Sequence, residues 1–269
     1  MTATATERRR LTGTSGWRGF GRLLQTEFLV WFRDLASPFF GVVFPTVVLV
    51  GVGFLIPGMR DPIQGAPPGS VWYQVTPIAT YVPTILAMAV GTAALTVMPV
   101  TLATYREKGV LRRLSTTPMR PQGIVAAHLV INAVTTSVGV VLALVVAAVA
   151  FDVPAPTQPA VLVLAFVLGL AVMLSLGMVV AALAPRASAA NGIAMSIYFP
   201  MLLLAGVWTP GPAMPDLIQE IGQFSPLGAA SQALSAGWFD DGFPTLQVVV
   251  MVVWTALLLP LAVRLFRWT

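Results

Sequence analysis

Residues able to do covalent or acid–base chemistry are scarce in this chain. It has one lysine (Lys108), one histidine (His128) and no cysteine among 269 residues. Without cysteine there is no thiol nucleophile, disulfide framework or thiolate metal site. Lys108 does not stand in a Gly-x-x-x-x-Gly-Lys-Ser/Thr loop, so the chain brings no ATP-cradling backbone of its own. A Gly-x-Ser-x-Gly elbow is missing too, as is a His/Glu metal constellation. The expectation is a non-catalytic chain with no metal and no cofactor.

The charges gather instead in one compact run. Arg106-Glu107-Lys108-Gly109-Val110-Leu111-Arg112-Arg113-Leu114 is followed by Thr117-Pro118. Leu111 and Leu114 are i, i+3 neighbours, and Pro118 ends any helix by the residue before it. A short helix here, gripped by a soluble partner, could transmit force into the stretches on either side. The alternative is an ordinary basic loop. His128 and Asn132 lie one helical turn apart further on, either as a substrate or proton site or as an interhelical hydrogen bond.

The elements that must position these residues are apolar. Hydrophobic residues make up 57% of the chain and charged ones 9%, with mean hydropathy +0.86. Soluble domains carry about 25% charged residues, so this surface is built for lipid. Six stretches are long enough to cross a bilayer: 36–56, 78–105, 123–151, 159–183, 191–208 and 246–265. None contains Asp, Glu, Lys or Arg apart from Arg264. Pro45, Pro99 and Pro200 are expected to interrupt their spans.

With these spans, 14 of the 15 basic residues fall on one side, Arg60 being the exception. The positive-inside rule then places both termini in the cytoplasm of a multi-pass protein of the bacterial inner membrane. The net charge of +5 therefore reports topology, and no nucleic-acid partner is expected. Trp31 and Tyr105 are expected at the inner boundary, in an aromatic belt.

Two flanking regions add structure. Over 17–35, Phe20, Leu24, Phe28, Trp31 and Leu35 recur at helical spacing. This predicts an amphipathic helix on the inner surface, bearing Arg18, Arg22, Glu27 and Arg33. It serves either as a membrane anchor or as a partner-docking helix. The external stretch 209–244 is broken by Pro210, Pro212 and Pro215. Within it, 216–224 and 227–238 predict short helices dipping into the outer leaflet. The fold class is all-α: a disordered tail over 1–16, then a single six-span transmembrane domain over 17–269.

Three of these features resemble the permease subunits of type 2 ATP-binding-cassette exporters, especially the daunorubicin-resistance kind. Arg106–Leu114 with Thr117-Pro118 is similar to that family's Arg-Glu-x-Gly-Thr-Leu-x-x-Leu…Thr-Pro coupling segment, Val110 replacing the commoner threonine. Ala205-Gly206-Val207-Trp208-Thr209-Pro210, Met214-Pro215 and Ser225-Pro226-Leu227 resemble its external region. The amphipathic helix resembles its interface helix. The resemblance implies a half-transporter: two permease chains, identical or related, and two cytoplasmic P-loop ATPase subunits carrying the ATP and magnesium. It also implies that Arg106, Glu107, Lys108, Gly109, Leu111, Arg112, Arg113, Leu114 and Pro118 meet the ATPase. A hydrophobic or amphiphilic substrate, a drug, antibiotic or lipid, is expected to contact spans one, two and five. Polymer export and a non-transporting scaffold are the alternatives.

Overall fold

The computed structural model describes residues 19–63, 73, 75–110, 122–209, 214–240 and 242–265. Among them the regular structure is all helical. Helix α1 spans Phe20–Arg33 and precedes six helices long and apolar enough to cross a membrane. These are α2 (Ala36–Leu55), α3 (Pro77–Glu107), α4 (Gln122–Phe151), α5 (Pro159–Leu183), α6 (Ala187–Leu204) and α9 (Thr245–Leu265). Two short helices, α7 (Asp216–Gly222) and α8 (Pro226–Phe239), lie between α6 and α9. The tail over 1–16 falls outside the described residues.

Most span limits match the apolar runs to within two residues. The fifth does not: α6 begins at Ala187 and ends at Leu204, one turn earlier than hydropathy places it. Its end is set by backbone geometry. Gly206 takes φ +79°, Gly206 N–H donates to Leu203 O and Val207 N–H donates to Leu202 O. A left-handed glycine of this kind stops the helix and satisfies its last carbonyls.

Helix α3 is the axis of the bundle. In its most apolar stretch 83% of residues are buried, against 22% in α2 and α6 and 17% in α9. Helix α8 packs against α3 and α5 and is buried along most of its length. At 14 residues it is about 21 Å long, too short to span. It therefore fills the bundle at the end opposite Arg106 rather than merely covering it. Ser225 caps it by accepting from Gly228 N–H at 3.0 Å. Helix α7 leaves Leu217 and Ile221 exposed.

The prolines do not interrupt the spans. Pro45 and Pro99 each follow a π-helical turn, Phe39–Val43 in α2 and Ala93–Val97 in α3. Lacking an N–H, each cannot return a bond to the carbonyl four residues back, and the preceding turn widens instead. Both turns are met by a glycine of another span. A methyl at Gly139 of α4 would stand 2.8 Å from the Gly41 carbonyl oxygen. A methyl at Gly177 of α5 would overlap the Ala94 carbonyl oxygen.

Candidate functional site

The end of α3 carries the described part of the predicted coupling run, Arg106, Glu107, Lys108 and Gly109. The Arg106 guanidinium donates from Nη1 to Ala181 O at 2.8 Å and to Ala184 O at 2.7 Å. These carbonyls belong to the last turn and cap of α5, where the helix has no internal donors left. The next residue does the converse. Glu107 Oε2 accepts from the backbone N–H of Ala187 at 3.2 Å, the first residue of α6. The α6 N-cap position, Arg186, makes no side-chain cap, so Glu107 supplies one from another element. A cation at a helix C-terminus and a carboxylate at an N-terminus both complement the backbone dipoles. Two consecutive residues thus fasten both sides of the α5–α6 turn to the end of α3.

Helix α3 stops just beyond. Lys108 N–H donates to Thr104 O and Gly109 N–H to Arg106 O. Gly109 has φ +67°, a left-handed conformation that favours glycine, and a Cβ there would meet nothing within 4 Å. The demand for glycine is one of backbone conformation alone. Glu107 and Lys108 are exposed. The predicted coupling residues Leu111, Arg112, Arg113, Leu114 and Pro118 lie outside the described residues, as does Arg18 of the predicted interface helix.

Helix α1 docks differently from its expected stripe. Phe28 is 43% exposed and Leu35 88% exposed, whereas Glu27 and Trp31 are buried. Phe20 and Leu23 approach Gly123 of α4, so the inward face runs Phe20, Leu23, Glu27, Trp31. Trp31 packs on Gly41 and Tyr105 turns toward α1; neither serves as a lipid-facing belt residue. Arg22 and Arg33 point away into the exposed face.

Glu27 is a carboxylate on the packed face, 8% exposed. Tyr105 Oη donates to its Oε2 at 2.7 Å. His128 Nε2 approaches the same oxygen at 3.2 Å without the alignment of a directed hydrogen bond. The His128 and Tyr105 rings meet edge-on at 5.5 Å. Burial pushes the Glu27 carboxyl up, but His128 and Tyr105 more than reverse this and hold it below its ordinary value. Asn132 donates to the His128 carbonyl at 2.8 Å and stays within its own helix. His128 thus pairs with α1 rather than with another span. The sequence held a signal for this: Glu27 lies at the 3–4 spacing of Phe20, Leu23 and Trp31.

Helix α6 carries further polar side chains. Tyr198 Oη shares a 2.6 Å hydrogen bond with Thr92 Oγ1 and donates to Met88 O at 3.0 Å, joining α6 to α3. Tyr81 donates to Val207 O from the far end of α3. The outward face of α6 exposes Ser188, Asn191, Gly192 and Ser196. The exposed faces of α2 and α9 are apolar by contrast, Val43, Val47 and Phe54 on one and Val249, Val252 and Leu257 on the other. No cluster of three metal-ligating side chains occurs among the described residues.

Six helices long and apolar enough to cross a membrane, with α1 docked against α4, define a multi-pass membrane protein. The family model of the ABC-2 type transporter matches residues 18–239, and the chain belongs to that family. The family implies a membrane setting and a partner ATPase. No curated protein matches the chain.

Proposed function

We propose that this chain is the membrane subunit of an ATP-driven exporter of the daunorubicin-resistance kind. It moves hydrophobic or amphiphilic compounds, a drug, antibiotic or lipid, out across the bacterial cytoplasmic membrane, with both termini cytoplasmic. Two permease chains and two P-loop ATPase subunits make the working assembly, and ATP and magnesium bind on the ATPases. The observation that carries this reading is the double fastening by Arg106 and Glu107. A push on the segment after Gly109 reaches the end of α5 and the start of α6 directly, through charge-assisted bonds. The interface helix receives it through Tyr105.

The outward face of α6 supports a passage or a second permease chain beside it. Ser196 is satisfied within its own helix, donating to Gly192 O at 2.9 Å, but an exposed asparagine turned to lipid is unfavourable, whereas a water-lined path or a facing helix satisfies Asn191. Span two, expected to share in substrate contact, is largely buried within the chain over its most apolar stretch.

The test is copurification. The full chain, tagged at its C-terminus and solubilised mildly, should bring down a P-loop ATPase. Gly109→Val should loosen that complex or uncouple its ATP hydrolysis while the bundle stays folded, because only backbone conformation opposes the substitution. A chain that purifies alone from several mild detergents overturns the proposal.

A further inference from the structure

We infer that Glu27, Tyr105 and His128 form a latch that holds α1 to the end of α3, and that Glu27 and His128 are positioning residues for coupling. This rests on the reading of the segment after Tyr105 as the place where the ATPase acts. A buried carboxylate is costly unless it is paired. Here two groups from different elements converge on one oxygen, Tyr105 Oη donating at 2.7 Å and His128 Nε2 standing at 3.2 Å as an ion-pair partner. Tyr105 is the residue immediately before Arg106. The docking of α1 on α4 therefore depends on where the end of α3 stands. Displacing α3 strips the carboxylate of its closest donor and leaves it on a packed face.

Other charged groups stand nearby. Arg106 reaches Ala181 and Ala184, Glu107 reaches Ala187, and Arg22 and Arg33 turn to the exposed face of α1. From α4, Asn132 faces the His128 carbonyl. The latch passes motion between the motor end of α3 and the helix lying along the membrane surface. That connection is absent from the backbone hydrogen bonding, because α1 and α3 are separate helices joined here only by side chains.

The natural absence of cysteine makes the test clean. Spin labels on cysteines replacing exposed Gln25 of α1 and Gln122 of α4 report α1 docking in the full chain in liposomes. The otherwise natural chain should give one narrow distance distribution. Glu27→Gln and His128→Gln should each broaden it and lower the docked-to-undocked ratio by roughly tenfold or more. The double variant should be no worse than either single one. Exchanging the pair, Glu27→His with His128→Glu, should restore the narrow distribution and so separates a lost latch from a misfolded chain. With the copurified ATPase bound, the same single variants should retain the complex but lose its coupled ATP hydrolysis.

Distances unmoved by Glu27→Gln overturn the latch while leaving the exporter reading intact. Broadened distances with unchanged ATP hydrolysis in the complex overturn its role in coupling. If no ATPase copurifies, the exporter reading fails and the coupling role falls with it, whatever the labels report.

Discussion

Replacing Arg106 with alanine removes the two bonds that tie α3 to the last carbonyls of α5, at 2.8 and 2.7 Å. A hydrogen bond to a charged group contributes about 1.5–3 kcal/mol when well shielded. Arg106 is only partly buried, so water would resolvate the freed carbonyls and the lower end of that range applies. The pair then stabilises the closed α5–α6 turn by about 2–3 kcal/mol, and its loss raises local opening about thirty- to one-hundred-and-fifty-fold. Hydrogen exchange of the full chain in lipid nanodiscs reads this directly. The amides of Ala184, Ala187 and Ala190, bonded to Val180 O, Glu107 and Arg186 O, should exchange faster by that factor. Amides midway along α5 should not change. Arg106→Lys keeps the charge but has no fork to span two carbonyls, so it should fall between the natural chain and alanine. Unchanged exchange over 184–190 in Arg106→Ala refutes the fastening. So does faster exchange spread evenly over the bundle, which would signify general loosening.

Gly177→Ala should cost about 1–3 kcal/mol, because its methyl overlaps the Ala94 carbonyl within a π-turn and two backbones must part. Gly192→Ala, with nothing within 4 Å, should cost nothing, and thermal melts of the two in detergent make the comparison. Acidification probes Glu27, whose carboxyl is held below its ordinary 4.5. The stabilisation it adds is present above that value and is lost as pH falls through the lower folded-state one. The Gln25–Gln122 label distance should therefore broaden as pH falls below about 5. Broadening already near neutrality would show that the carboxylate is not the controlling group.

Much of this molecule is legible in its sequence because charge is so scarce. Apolar runs with arginines at their inner ends mark the six spans, and five begin and end within two residues of the helices observed. The 3–4 spacing before the first span marks α1, and the prolines after Trp208 mark where α7 and α8 start. Hydropathy separates lipid from water, and those boundaries are what it can report. It cannot tell lipid from protein interior, since both are apolar and a uniformly apolar helix shows no preferred face. Only the tertiary structure decides that α3 is the enclosed axis, that α8 is buried, and that Trp31 packs inward. The same holds for the site. The Arg106–Gly109 motif is local, but its partners lie 75–80 residues away, and two of them are backbone carbonyls that carry no sequence signature. Glu27, Tyr105 and His128 look like an interface charge, a boundary aromatic and a lone histidine until packing places them on one oxygen.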